Sequence, residues 1–274
     1  MCSIKAFCDS IKISRDSFYK MCYRNKQMIE EEHIVLAHVL RRRADLPREG
    51  VRKLSKAISQ DLADSNIKFG RDKLFDLLRK NKMLVRPKKR YVRTTNSWHR
   101  FHKHPNLIKT LTINRPNQVW VSDITYISLT RGHCYLALIT DAFSRKIVGY
   151  DISDSLELKG CLRAFKRALK QLPLNHDLIH HSDRGIQYCS HQYTGLLEKN
   201  NIKISMTEEN HCYENAIAER VNGILKDEFF LDQCFKSTQN VKAVGIQAIN
   251  LYNDKRLHLS LNFKTPNMVH KNVA

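Results

Sequence analysis

Apolar positions along the chain recur with one period before about residue 117 and with another after it. In the first part the spacing is helical. Residues 4–7 and 14–23 read as two short helices, with Ser14 as an N-cap ahead of Arg15, Phe18 and Tyr19, and residues 30–43 continue as a helix ending in Arg41-Arg42-Arg43. Past Pro47 and Gly50, Leu54, Ile58 and Leu62 mark one amphipathic helix and Leu74, Leu77 and Leu78 another, with a polar turn over 66–70 between them. Beyond Asn117 the β-branched and aromatic runs 119–128, 134–142 and 146–152 follow one another at short gaps, as in an antiparallel meander. A helix carrying Leu158, Leu162, Phe165, Leu169 and Leu172 stops at Pro173. Then come a strand over 178–182, a helix over 191–200, a strand over 202–206 and a longer helix over 215–230. That order predicts an α/β fold, a mixed five-stranded sheet flanked by helices and preceded by an all-α region.

At 274 residues and 42% hydrophobic, the chain can bury a core, which sets aside disordered, collagen-like and small disulfide-scaffold classes. Charge adds a function class. Lys and Arg number 47 against 27 Asp and Glu, a formal net charge of +20, which points to an anionic partner: nucleic acid first, an acidic membrane surface second. The excess is not even, because residues 1–116 hold 28 Lys/Arg and 11 Asp/Glu, a surplus of +17, and leave only +3 for the rest. The paired helices after Gly50 therefore suit a helix-turn-helix unit whose second helix would lay Arg71, Lys73, Arg79 and Lys80 on DNA. A plain bundle with a solvated basic face is the competing reading. Lys88, Lys89 and Arg90, followed by Trp98 and Phe101, suit a segment that tracks a phosphate backbone, or one that merely connects. The expected parts are thus a helical region over 1–84, a basic linker over 85–115 and a core over 116–274.

No apolar run is long enough to span a bilayer and residues 1–7 lack a signal-like stretch, so a cytoplasmic chain with no membrane partner is expected. Eight cysteines, at 2, 8, 22, 134, 161, 189, 212 and 234, form no C-x-x-C pair and no zinc-finger spacing with histidines. Reduced, buried cysteines and no zinc site are the expectation.

Candidate chemistry comes from acids in apolar surroundings. Asp123 lies within Trp120-Val-Ser-Asp123-Ile-Thr125-Tyr126 in the first strand, Asp183 follows the fourth strand in His180-His181-Ser182-Asp183-Arg184-Gly185, and Glu219 lies on the long helix. A buried, unpaired carboxylate costs several kcal/mol, so each must be hydrogen-bonded or held for a cation. Asn215 stands one turn before Glu219 and Lys226 two turns after, on the same helix face, as DNA or second-layer contacts or as a solvated face. His181 reads as a strand-packing histidine, and Asp141 as the cap of the turn toward Ser144 and Arg145. Tyr252, Asn253, Arg256 and His258 suit either DNA positioning or a polar network at a helix end.

Five runs carry a family resemblance: Trp120-x-x-Asp123-Ile-Thr125-Tyr126; Asp141-x-x-Ser144-Arg145-x-Ile147-Val148-Gly149; His181-Ser182-Asp183-Arg184-Gly185-x-Gln187-Tyr188; Asn215-Ala216-x-Ala218-Glu219; and Tyr252-Asn253-x-x-Arg256-x-His258 through Thr265-Pro266. Together they resemble the retroviral-integrase-like core of the insertion sequence three family of transposases, second open-reading-frame product. The resemblance implies a ribonuclease-H-like fold and an Asp, Asp, Glu triad at Asp123, Asp183 and Glu219 that holds Mg²⁺, with Mn²⁺ as a substitute. It also implies a loosely held Glu219 when metal is absent. The implied activity is cleavage and strand transfer on double-stranded DNA, by a homo-oligomer and with the upstream reading-frame product as a further partner. A non-catalytic DNA-binding regulator is the alternative. That upstream product carries a leucine-zipper-like coil, whose heptads this chain does not show.

Overall fold

The computed structural model describes residues 3–85, 102–208 and 215–271, and the chain divides into two compact units, Met1–Val85 and Arg86–Ala274. The first unit is all helical: α1 (Ile4–Ser10), α2 (Arg15–Asp45), α3 (Val51–Ala57), α4 (Ser59–Asp64) and α5 (Arg71–Lys80). Ser14 caps α2 as expected, its hydroxyl accepting from the Ser17 N–H at 3.0 Å. The two helices expected over 14–23 and 30–43 are one helix of 31 residues, because the intervening stretch contains neither Gly nor Pro. Conversely, the single helix read through Leu54, Ile58 and Leu62 breaks after Ala57, where the Ser59 hydroxyl donates to the Lys56 carbonyl and competes with the helical ladder. All three leucine and isoleucine positions remain in the core with Val35, Val39, Leu74, Leu77 and Leu78. Glu49 is buried there, paired by the Arg42 fork at 2.8 and 3.2 Å.

In the second unit, β1 (Val119–Ser128), β2 (His133–Asp141) and β3 (Ile147–Ser153) form the expected meander. β4 (Ile179–Ser182) and β5 (Lys203–Met206) then add in parallel, giving the order β3-β2-β1-β4-β5. Around the sheet lie α6 (Leu158–Leu169), α7 (Ile186–Cys189), α8 (His191–Lys199), α9 (Ala216–Glu228), α10 (Thr238–Asp254) and α11 (Pro266–Lys271). Trp120, Ile139, Val148, Phe165, Ala168, Tyr193 and Met206 are core residues between the sheet and the α6–α8 side. Within the stretch expected to be a linker, residues 105–113 are irregular yet held to this unit. Met206 N–H donates to the Pro105 carbonyl, Leu107 N–H to the Ser205 hydroxyl, and Ile108, Leu111 and Ile113 pack beside Val119, Val121 and Ala218.

The sequence gives no reading of α7, α10 or α11. On α10 the buried face consists of Thr238, Val241, Gly245, Ala248, Ile249, Tyr252 and Asn253, too small and polar to register as an apolar stripe. Its end resolves the two readings of Tyr252, Asn253, Arg256 and His258 in favour of a buried network. The Tyr252 hydroxyl donates to the Arg145 carbonyl at 2.9 Å, and the Asn253 amide accepts from Ile147 N–H and donates to Ile147 C=O, both at 3.0 Å. The Arg256 fork grips Glu228 at 2.7 and 2.9 Å, and the His258 ring meets Tyr252 edge-on. These contacts secure the β2–β3 turn, where Arg145 adopts a left-handed φ of 64° that costs a non-glycine residue about 1 kcal/mol. Asp141 caps that turn as expected, accepting from Ser144 N–H and hydroxyl at 2.7 and 2.6 Å and from Asn117 N–H at 2.7 Å.

The six cysteines among the described residues are free, but Cys22 and Cys234 are exposed, against the expectation of burial. No described helix is long and apolar enough to cross a membrane.

At Gly149, β3 and α6 approach so closely that a Cβ would run into the Ala164 carbonyl oxygen and lie 2.8 Å from Ala168 Cβ. Gly149→Ala is expected to cost about 1–3 kcal/mol and lower Tm by several degrees. Gly223→Ala, with open space on α9, should be neutral or slightly stabilising. Thermal unfolding of the two variants checks the contrast.

Candidate active site

Register brings two of the acids together. β1 and β4 run parallel with Ser122 opposite Ser182, and Asp123 and Asp183 are the residues that follow, near enough for the Asp183 charge to act on Asp123. Sixty positions of sequence separation thus become a neighbour relation. Asp183 is oriented by the turn that follows it, since Gly185 N–H donates to its Oδ1 at 3.0 Å. A Cβ at residue 185 would sit 3.0 Å from that same oxygen.

The third acid arrives on α9, which is tied to β1 at two points. Asn215, at the N-cap, donates its amide to the Ser122 carbonyl at 3.1 Å, and Asn222 donates to Asp123 Oδ2 at 2.8 Å. Glu219 lies between them at helical spacing, on the same face, and is exposed. Asn215 is buried, so the expectation that it meets DNA is corrected: its side chain fastens a helix to a strand. Asn222 was not expected at all. The signal was present, an asparagine three residues after Glu219 beside Val221, Ile224 and Leu225, but an amide among apolar residues has no meaning until its partner is known.

Electrostatics mark Asp123 as the strained member. Burial first, then the negative charge of Asp183, push its carboxyl up to about 7. The Asn222 amide and the Ile124 N–H, 2.8 Å from Oδ1, pull the other way, and Glu219 adds a smaller upward push. Lys226 is half-buried within electrostatic reach of Asp123, and burial lowers its ammonium pKa while Asp123, Asp232 and Asp227 oppose that shift. Beneath the strand ends, the buried His180 ring is lowered to about 3, by burial and then by His181, and therefore stays neutral. Its Nε2 is 2.7 Å from the Ser122 hydroxyl and 3.0 Å from that of Tyr193. His181 packs as expected, with Nδ1 2.9 Å from the Ser205 hydroxyl on β5.

Three carboxylates offer only hard oxygen donors, which suit a divalent cation such as Mg²⁺. The raised Asp123 carboxyl reflects its burial first and the neighbouring Asp183 charge second. Among the described residues no three His, Cys, Asp or Glu side chains stand close enough to hold an ion as they are placed. The donor set fits, with Asp123 and Asp183 adjacent and Glu219 outside.

Of the expected DNA contacts, Arg71, Lys73, Arg79 and Lys80 are all exposed on α5. Three of them pair with acids: Arg71 with Asp72 at 2.9 Å, Arg79 with Asp76 at 2.5 Å and Lys80 with Glu32 at 3.0 Å. Such surface pairs are weak and readily exchanged for phosphate. Lys88, Lys89 and Arg90 lie outside the described residues.

The integrase core domain family matches residues 113–212, and a second integrase core domain family matches residues 200–266. The 31 kDa protein of insertion element IS600 from Shigella sonnei is 32% identical over 267 residues, 94% of this chain and 95% of its own. Transposase InsF of insertion sequence IS3A from Escherichia coli K12 is 28% identical over 265 residues, 93% and 90% of the two chains. This chain belongs to the insertion sequence three family of transposases. It is accordingly a polynucleotidyl transferase, and its second unit carries the integrase core on a mixed five-stranded sheet flanked by helices. The HTLV-2 integrase catalytic core domain, solved in complex with magnesium, is similar over 57% of this transposase and 97% of its own chain, with a TM-score of 0.45 at 22% identity.

The Asp123 carboxyl yields a pH test on the metal-free transposase. Its folded pKa of about 7 lies above the roughly 3.9 of an unfolded Asp, so the folded state holds the proton more tightly between those values. The stability this gives is complete below about pH 4 and is lost as pH rises through 7. Asp123→Asn should therefore unfold at the wild-type temperature near pH 4 and several degrees higher at pH 8. Calorimetry in the presence of chelator checks it, and an unchanged difference between the two pH values would refute the buried charge.

Proposed function

We propose that this transposase cleaves and joins DNA strands in a Mg²⁺-dependent reaction at Asp123, Asp183 and Glu219, moving an insertion sequence. Mn²⁺ is expected to substitute. The observation that carries this reading is the β1–β4 register, which sets Asp123 beside Asp183 under an α9 face that bears Glu219 and Asn222. Bound divalent ions would supply activation of the attacking oxygen and stabilisation of the leaving oxygen in an in-line phosphoryl displacement. Asp123 and Asp183 would hold them from the strand ends, with Glu219 turned inward from α9.

The chain's own groups set the geometry. Asn222 holds one Asp123 oxygen toward α9, and Gly185 N–H holds one Asp183 oxygen, so each carboxylate keeps a defined orientation. In the first step water attacks a phosphodiester, the bond to the 3′ oxygen breaks and a 3′-hydroxyl is freed. In the second that hydroxyl attacks another phosphodiester; one P–O bond forms as one breaks, so no covalent enzyme intermediate and no external energy source are needed. Lys226 beside Asp123, together with Arg71, Lys73, Arg79 and Lys80 on α5, supplies cations for the phosphate backbone of element ends and target. Lys88, Lys89 and Arg90 add three further cations by sequence. A homo-oligomer assembled on double-stranded DNA, in the cytoplasm and with the upstream reading-frame product as a further partner, is the expected working form.

Labelled element-end DNA incubated with the transposase and Mg²⁺ tests the proposal. Wild type should yield nicked and joined products; Asp183→Asn and Glu219→Gln should lower both by about 10³-fold or more. Asn222→Ala should cost about 10–100-fold, as expected for a group that orients a ligand. Equal product yields from wild type and Asp183→Asn would overturn the triad and leave the non-catalytic regulator.

A further inference from the structure

The β2–β3 turn uses the Asp141 carboxylate, the Ser144 hydroxyl and the Arg145 backbone, and leaves the Arg145 guanidinium without a role. The backbone there is held firmly. Arg145 N–H donates to the Asp141 carbonyl at 2.9 Å, its own carbonyl accepts from Tyr252, and its φ is 64°. The side chain is half-buried, and its Nη1 is enclosed with no hydrogen-bond partner among the described residues. An enclosed guanidinium N–H left unmatched costs free energy, so a hydrogen-bond acceptor belongs beside it.

Charge around Tyr252 indicates which kind. Its buried hydroxyl lies within electrostatic reach of three cations, Arg256, Arg145 and Arg220, and of one acid, Glu228. The Arg256 fork already grips Glu228. Asp141 also acts on Arg145, but its oxygens take the Ser144 N–H and hydroxyl and the Asn117 N–H, and it makes no ion pair with the guanidinium. Arg220 is exposed on α9, one residue after Glu219, and has no ion pair among the described residues. Two guanidiniums from separate elements thus lie near one hydroxyl with no anion between them. Arg163 shows the contrast, its fork holding Asp151 at 3.0 and 2.7 Å.

The place suits a phosphate of the DNA backbone. Ala142 N–H donates to the Val119 carbonyl, so the turn abuts the start of β1, and Asp123 lies four residues on, about 13 Å at strand rise. A DNA strand rises about 3.4 Å per nucleotide, which puts the turn a few nucleotides from a phosphodiester held at Asp123. Guanidinium forks match phosphate oxygens in shape and keep their charge when half-buried. Resting on the strand-transfer reading above, we propose that Arg145 and Arg220 together seat one backbone phosphate of the reacting DNA strand, a few nucleotides from the bond that breaks.

Binding of the full chain to labelled element-end duplex, measured in chelator, tests the seat without any chemistry. In a set of duplexes each phosphate in turn is replaced by an uncharged methylphosphonate. One replacement should weaken wild-type binding about tenfold and leave the double variant Arg145→Gly with Arg220→Gln unaffected. On unmodified DNA, Arg220→Gln alone should bind severalfold more weakly, and the double variant should lower the slope of log affinity against log salt by about one. Glycine suits the left-handed φ at 145, and Arg220 is an exposed helix position, so Arg220→Gln decides the matter even if the turn variant unfolds. Binding in chelator does not depend on the reaction, so failure of the strand-transfer reading and failure of the phosphate seat are seen separately. Two results overturn the seat: methylphosphonates that weaken wild type and the double variant alike at every position, and Arg220→Gln binding like wild type with an unchanged salt slope.

Discussion

Two carboxylates forced together at the ends of parallel strands are the constraint around which the second unit is organised. Ser122 pairs with Ser182, Asp123 and Asp183 follow them, and the Asp123 carboxyl is raised to about 7, by burial first and by the Asp183 charge second. Left alone, such a pair would push strands apart or take up a proton. The surrounding structure holds it in place with neutral donors: the Asn222 amide and Ile124 N–H on Asp123, and Gly185 N–H on Asp183. These three donors are neutral and orient the carboxylate oxygens.

Much of the remaining architecture keeps that pair in register. His180 stays neutral because it is buried, and a neutral ring can share hydrogen bonds with Ser122 and Tyr193 directly under the strand ends without adding charge to them. Asn215 and Asn222 bracket α9 against β1, so that Glu219 is delivered by a helix whose position is set on both sides of it. At the far end of α9, Glu228 is gripped by Arg256, and the adjoining Tyr252 and Asn253 secure the β2–β3 turn. The helix that carries the third acid and the meander that carries the first are therefore fixed to the same C-terminal elements.

How much of this was legible in sequence depended on whether the information is local. The strands of the meander were plain because 119–128 and 134–142 are dense in β-branched and aromatic residues, and the Asp141 cap because its partner Ser144 is three residues away. Asp123, Asp183 and Glu219 stood out through the motifs around them. Asn222 did not, since its meaning lies in a partner 99 positions earlier. Asn215 was placed on the right helix face yet assigned to DNA, because periodicity gives a face and not its depth. The break after Ala57 and the continuity of α2 were both misread, and in each case the deciding feature was a single side chain or the absence of a breaker. α10 escaped notice because it packs Gly245 and Ala248 where a stripe of leucines would have announced it.

The basic surplus of +17 in residues 1–116 and the neighbouring acids of the core both fit the proposed reaction, the first suited to polyanionic DNA and the second to the cations that would act on it. The most direct test of that central claim is a calorimetric titration of the transposase with Mg²⁺ at pH 7 in buffers of different ionisation enthalpy. Because Asp123 is about half protonated there, binding should release roughly half a proton per site, and Asp123→Asn should abolish the release. Binding without proton release, or the same release from the variant, would contradict the account.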